Sequence, residues 1–192
     1  MTRALGINPE LRIRNVKPSR ILIGALLAVT AGCSDGTGPG GVSGSVSFSH
    51  SGATTGTFSA SGSVLVADPE SSTWAAGTRD DGNQSIDVEG YITHPSGTHD
   101  YAHVHFPQLT PGTVTVANGA SVSVVFGQPE TAMATWNCTL TSGSVVVTSL
   151  SSTRVRGSFS GSGTCVPASG SPVALTVTNG SFDVPLVDLA GL

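Results

Sequence analysis

From Val42 onward, apolar and polar residues alternate with a period of two, and clusters of Gly, Asn, Asp, Pro and Ser interrupt the alternation. Period two is the spacing of strands with one buried and one exposed face, and the clusters are typical of turns. Such a chain is predicted to be all-β, as an antiparallel β-sandwich or, alternatively, a closed up-and-down β-barrel. The predicted strands lie near 42–50, 54–66, 72–78, 84–94, 99–106, 112–117, 121–127, 131–141, 143–150, 153–165, 173–178 and 181–187.

Two short segments are predicted to be tight hairpin turns with positive φ. They are Asp81-Gly82-Asn83 and Asn118-Gly119. Asn, Asp and Gly tolerate the left-handed conformation that two-residue hairpins require.

An export signal is predicted at the start of the chain. Residues 1–20 hold five of the eight basic side chains, and residues 21–32 form an apolar stretch. This stretch is too short to span a bilayer but typical of a signal peptide. It ends in Val29-Thr30-Ala31-Gly32-Cys33, which resembles the lipobox of bacterial lipoproteins, with Thr30 where leucine is commonest. The resemblance implies cleavage after Gly32 and lipid on Cys33.

This reading divides the chain into four parts. They are a signal peptide over 1–32, the lipidated Cys33 with a flexible Gly/Pro tether over 33–41, a domain over 42–187 and a C-terminal tail over 188–192. We therefore expect a cell-envelope protein held to a membrane through Cys33. Ser34 rather than Asp follows the cysteine, which favours the outer membrane over the inner by analogy with the usual sorting rule.

The charge of the expected mature chain excludes two kinds of partner. After Cys33 there are three arginines, no lysine and eleven acidic residues, a formal charge of −8. Phosphate contacts need Lys and Arg, so we expect no nucleic-acid partner and no peripheral binding to anionic lipid. The protein partner or ligand is not indicated, and we expect a monomer.

Two further cysteines, Cys138 and Cys165, are predicted to form a disulfide. An exported protein folds in an oxidising compartment. Cys138 shares a strand face with Trp136 and Leu140, and Cys165 shares one with Phe159, so both thiols are expected to point inward. The alternative is a pair of buried free thiols.

An internal similarity links residues 56–63 with residues 157–164. Both segments place one phenylalanine, Phe58 or Phe159, among Gly, Ser and other small residues. This predicts aromatic rings packed over glycine in both strands. The similarity reflects either a duplication or the shared composition of two Gly/Ser-rich segments.

The order of several features resembles an uncharacterised family of secreted bacterial lipoproteins. The shared features are a first strand with Phe58, then Trp74-Ala75-Ala76, a hairpin series through 142–148, Gly157-Ser158-Phe159 and a last strand with 178–182. The resemblance implies a β-sandwich-like domain and supplies no activity. The cysteine pair and the histidines described next fall outside its pattern.

Four of the five histidines lie close together, at His94, His99, His103 and His105. His99, His103 and His105 have the same parity and would project from one face of a strand. Two imidazoles so placed could ligate Zn²⁺ or Cu²⁺, with His99 or His94 completing the site. The alternative is that these histidines face solvent without metal, opposite Ala102, Val104 and Phe106, which form the apolar face of the strand and are expected in the core.

No catalytic constellation stands out. No serine lies in a Gly-x-Ser-x-Gly elbow with suitable partners. Asp87 and Glu89 lie on the outward face of a predicted strand, where we expect nothing to desolvate them and shift a pKa. The sequence therefore predicts a non-enzymatic, membrane-anchored binding or structural module. The alternatives are a Zn- or Cu-binding protein and, if a barrel interior is unfilled, a carrier of hydrophobic ligands.

Overall fold

The computed structural model describes residues 43–63, 73–129 and 135–187. The predicted signal peptide, Cys33, the tether and the C-terminal tail lie outside these ranges. Residues 42, 64–72 and 130–134 of the predicted domain lie outside them as well. The described chain is all-β, as predicted. Its strands are β1 (Gly44–Gly52), β2 (Gly56–Gly62), β3 (Trp74–Asp80), β4 (Ser85–Thr93), β5 (Thr98–Phe106), β6 (Gly112–Thr115), β7 (Ser121–Pro129), β8 (Trp136–Leu150), β9 (Arg154–Pro167) and β10 (Val173–Val187).

The strands pair in the order β2-β1-β10-β3-β4-β5-β7-β8-β6, and β9 pairs with both β10 and β8. Among the described strands, every pairing is antiparallel except that of β10 with β3. Side chains of β1 and β2 pack against β4, and a side chain of β1 packs against β7. A Cβ at Gly90 of β4 would lie 3.1 Å from Val46 and from the Phe58 ring, and the His50 ring lies 4.6 Å from the Phe126 ring. This layering is that of a sandwich-like fold.

Two pairs of predicted strands are single long strands in the structure. The segments 131–141 and 143–150 contribute to β8 (131–134 are outside the described ranges), and 173–178 and 181–187 form β10. Register shifts against β9 occur between Leu140 and Ser142 and between Val177 and Gly180. Gly143 and Asn179 adopt positive φ there. The small polar residues that suggested turns therefore accommodate β-bulges, which let a strand continue.

The predicted turns are corrected in part. The chain does turn at residues 81–84, but the positive φ belongs to Gln84 rather than to Gly82 or Asn83. Asp80 stabilises the turn, because its carboxylate accepts hydrogen bonds from the backbone N–H groups of Gly82 and Asn83. Gly119 does have positive φ, at 100°. It follows a 3₁₀ helix (Val116–Asn118) and does not close a hairpin, because β6 pairs with β8 and β7 pairs with β5 and β8.

Phenylalanine rings packed over glycine organise the core, as predicted. The ring of Phe159 covers Gly180, and the ring of Phe182 covers Gly157. Phe48 stacks on Phe58 with ring centroids 4.8 Å apart. Burying each such side chain stabilises the fold by roughly 1.5–3 kcal/mol.

The predicted disulfide is present. Cys138 and Cys165 lie directly opposite one another in β8 and β9, and their sulfurs are 2.03 Å apart. Both residues are buried, as their parity indicated. Trp136, on the same side of β8, is partly buried and packs against the core.

Candidate functional site

The candidate site lies on the outward face of the β4–β5 hairpin. Period-two alternation places Val88 and Val104 in the core and leaves the intervening side chains on the outside. The register places Asp87 opposite His105, Glu89 opposite His103 and Tyr91 opposite Tyr101. We refer to these six side chains, namely Asp87, Glu89, Tyr91, Tyr101, His103 and His105, as the histidine face.

The closest cluster on the histidine face joins one carboxylate to two imidazoles. His103 Nε2 and His105 Nδ1 lie 2.9 Å and 2.8 Å from the same oxygen, Asp87 Oδ1. All three side chains are half-buried, with exposed fractions of 28–30%. Burial of this kind excludes part of the solvent that would otherwise compete for the hydrogen bonds.

This cluster shifts two pKa values in opposite directions. The hydrogen bond from His103 lowers the pKa of Asp87 against the effect of burial, and His105 adds to the lowering. The same hydrogen bond raises the pKa of His103, and burial again opposes the shift. Both shifts have the same cause: the hydrogen bond stabilises the ionised carboxylate of Asp87 and the protonated imidazole of His103.

A second hydrogen bond continues the histidine face. The hydroxyl of Tyr101 donates to Glu89 Oε1 at 2.8 Å. The Tyr101 ring is nearly parallel to the His103 ring, with centroids 6.5 Å apart. Burial raises the pKa of Tyr101 far above its ordinary value, and the negative charge of Glu89 adds to this. Tyr101 therefore remains a neutral hydrogen-bond donor at physiological pH.

An aromatic row crosses three strands beside this cluster. Trp74 of β3 stacks on Tyr91 at 5.8 Å, and Tyr91 stacks on His99 at 5.1 Å. His99 is only 8% exposed, and its Nδ1 is buried with no hydrogen-bond partner within the described structure. The expectation that His99 faces solvent is therefore wrong. The Tyr91 ring covers it, and a bulge between β5 and β7 falls next to it, between His99 and Tyr101.

The four histidines singled out in the sequence do not form one site. His94 Nε2 pairs with Asp100 Oδ2 at 2.9 Å, and the other oxygen of Asp100 accepts the backbone N–H of Gly127. Only His103 and His105 share a partner. Within the part of the chain that the structure describes, no group of three or more His, Cys, Asp or Glu side chains is arranged as a metal site.

Asp87 is the member of the cluster that sequence reasoning missed. Its outward position was predicted, but the expectation that its pKa is unshifted is wrong, because two imidazoles donate to it. The signal that could have found this is the hairpin register. Counting outward from the turn between β4 and β5 pairs residue 87 with residue 105.

The histidine face differs chemically from other outer surfaces of the sandwich. The outer faces of β8, β9 and β10 carry mainly small hydroxyl side chains, among them Thr139, Ser160, Ser162, Thr164 and Thr176. The histidine face instead presents two carboxylates, two imidazoles and two phenol rings. Its groups can donate and accept hydrogen bonds and stack on a ligand.

Comparison of the chain with models of protein families, with curated proteins and with solved structures gives no significant match. In the described ranges, no helix has the length and apolar character needed to cross a membrane.

Proposed function

We propose that this protein is a lipoprotein anchored to the cell envelope through Cys33, and that its β-sandwich is a non-catalytic binding module. The main support for a binding role is the histidine face. It gathers Asp87, Glu89, Tyr101, His103 and His105 into one half-exposed, hydrogen-bonded surface on an otherwise Ser/Thr-rich sheet. Such concentrations of aromatic and ionisable groups mark binding surfaces more often than plain solvent-facing strands.

Two features support an extracytoplasmic, tethered domain. The disulfide between Cys138 and Cys165 is typical of proteins that fold in an oxidising compartment. The tether between Cys33 and the first described residue, 43, is rich in Gly and Pro. At about 3.3–3.6 Å per residue, its nine residues hold the domain within roughly 30 Å of the anchoring lipid. Ser34 favours the outer membrane as the site of anchoring.

The arrangement of the face favours recognition over turnover. Asp87 is hydrogen-bonded to both imidazoles and Glu89 to the Tyr101 hydroxyl, and none of the six side chains is a serine, threonine or cysteine that could act as a nucleophile. The carrier alternative gains no support, since the inward side chains of β1, β4, β5 and β7 are packed into one continuous core cluster.

Cell fractionation tests the anchored location. The full-length chain is produced in a bacterial host together with two variants, Cys33→Ser and Ser34→Asp. We expect the wild type in the outer membrane, Cys33→Ser outside the membrane fraction, and Ser34→Asp still bound but displaced toward the inner membrane. The proposal fails if Cys33→Ser and wild type have the same distribution.

A further inference from the structure

We propose that the histidine face is a pH-responsive surface. On this proposal its imidazoles take up protons as the pH falls through the range of about 8 to 5, which reduces the negative charge of the face and strengthens its hydrogen bonds to Asp87. The inference rests on the proposed binding function and adds a means of regulating it, because a ligand of this face would meet a different charge in acid than at neutral pH.

The argument begins with the atoms that meet at Asp87. His103 uses Nε2 and His105 uses Nδ1 to reach the same oxygen, Asp87 Oδ1, at 2.9 Å and 2.8 Å. A neutral imidazole carries hydrogen on only one of its two nitrogens, so both bonds form together only when the two rings hold opposite tautomers. A protonated ring carries both hydrogens and donates in either case, and its positive charge strengthens the bond to the carboxylate.

The groups around the two imidazoles determine how the charge of the face changes. Asp87 and Glu89 of β4 lie opposite His105 and His103, and the neighbouring phenol of Tyr101 is neutral. The flanking positions of β3 and β7 hold uncharged side chains, namely Ala76, Thr78, Ser121 and Ser123. With both imidazoles neutral, the two carboxylates therefore give the face two negative charges, and each proton that an imidazole gains cancels one of them.

The two pKa shifts of the cluster set the direction of the response. The hydrogen bond to Asp87 raises the pKa of His103, so the stability that this proton supplies is present below the unfolded value of about 6.5 and is lost as the pH rises through the folded value. The hydrogen bond from His103 lowers the pKa of Asp87, so its contribution is present above about 3.9 and is lost as the pH falls through the folded value. The charged pair therefore stabilises the β4–β5 hairpin most strongly between about pH 4 and pH 6.5.

Nuclear magnetic resonance of the mature full chain in detergent, with isotope-labelled histidine rings, measures the protonation of each imidazole against pH. We expect the midpoint of His103 to lie above the ordinary value of about 6.5 and to fall in the variant Asp87→Asn. The matched control is Asp100→Asn, which removes the carboxylate partner of His94 in the same hairpin and should leave the midpoint of His103 unchanged.

Urea unfolding provides a second measurement that does not depend on Asp87→Asn. The loss of stability in His103→Gln relative to wild type should be larger at pH 6 than at pH 9, because the proton on His103 stabilises the fold only below its folded pKa.

The pH response is overturned if His103 of the wild type titrates at or below the ordinary value, if Asp87→Asn leaves its midpoint unchanged, or if Asp100→Asn lowers that midpoint as much. It is also overturned if the loss in His103→Gln is equal at the two pH values or larger at pH 9. None of these results changes the membrane fractionation, so failure of the pH response and failure of the anchored binding module are distinguishable.

Discussion

At the scale of single residues, glycines decide how closely the aromatic core can pack. A Cβ at Gly157 would overlap both the Phe182 ring and the backbone carbonyl of Val146. Phe159 lies over Gly180 in the same way. The short Gly/Ser segments around Phe58 and Phe159 predict that phenylalanine packs over glycine, but they do not say which glycine each ring covers. The identity of the covered glycine depends on the pairing of β9 with β10, which the sequence does not reveal.

We predict that Gly157→Ala destabilises the domain. The added methyl group must displace Phe182 and the β8 backbone, and overpacking of this kind costs roughly 1–3 kcal/mol. Chemical denaturation of the full chain measures the loss. The matched control is Gly56→Ala, because a Cβ there would meet only the edge of His50, at 3.4 Å, and should have little effect. Equal stability of Gly157→Ala and wild type would contradict the close packing of Phe182 over Gly157.

Asp183 provides a prediction about pH. It accepts hydrogen bonds from Arg154 and Arg156. Burial opposes its ionisation, but the two arginines outweigh that effect and lower its pKa. A lowered folded-state pKa contributes stability above the unfolded value of about 3.9, and the contribution is lost as pH falls through the folded value. Because the site is partly exposed, we expect at most about 1 kcal/mol.

The measurement compares wild type with Asp183→Asn from pH 7 down to pH 2. The difference in unfolding free energy should be present near neutrality and disappear in acid. A difference that persists unchanged at pH 2 would show that Asp183 acts through something other than its charge.

At the scale of elements, the disulfide joins β8 to β9, and bulges let β8 and β10 continue beside β9 as single long strands. Alternation and turn residues predicted most strand positions, including β5 within one residue. They failed where small polar residues lie in a bulge, as at Gly143 and Asn179, because bulges and turns favour the same residue types. Only the continued pairing with β9 distinguishes the two outcomes.

We predict that the variant Cys138→Ala/Cys165→Ala is less stable than wild type. The bridge closes a sequence separation of 27 residues. The loss should be about 3 kcal/mol on the chain-entropy model. Urea unfolding measures it, with the reduced wild type as control. The reduced wild type and the double variant should have similar stabilities, and a double variant as stable as the oxidised protein would contradict the prediction.

At the scale of the whole molecule, composition and period predicted an all-β fold but left the sandwich and the barrel open. The choice depends on which strands lie face to face, and contacts such as that between Phe58 and Gly90 appear only in three dimensions. Two members of the candidate site were predicted from the sequence, and the third was not. Parity placed His103 and His105 on one face, but the register that adds Asp87 and removes His94 and His99 comes from the folded hairpin.

We propose above that a lipid on Cys33 attaches the binding domain to the membrane. Mass spectrometry of the N-terminal peptide of the mature protein, isolated from bacterial membranes, can detect this lipid. We predict a peptide that begins at Cys33 and carries a diacylglyceryl group on its sulfur. A chain that retains its basic first twenty residues, or one with an unmodified Cys33, would show that the domain is not anchored in this way.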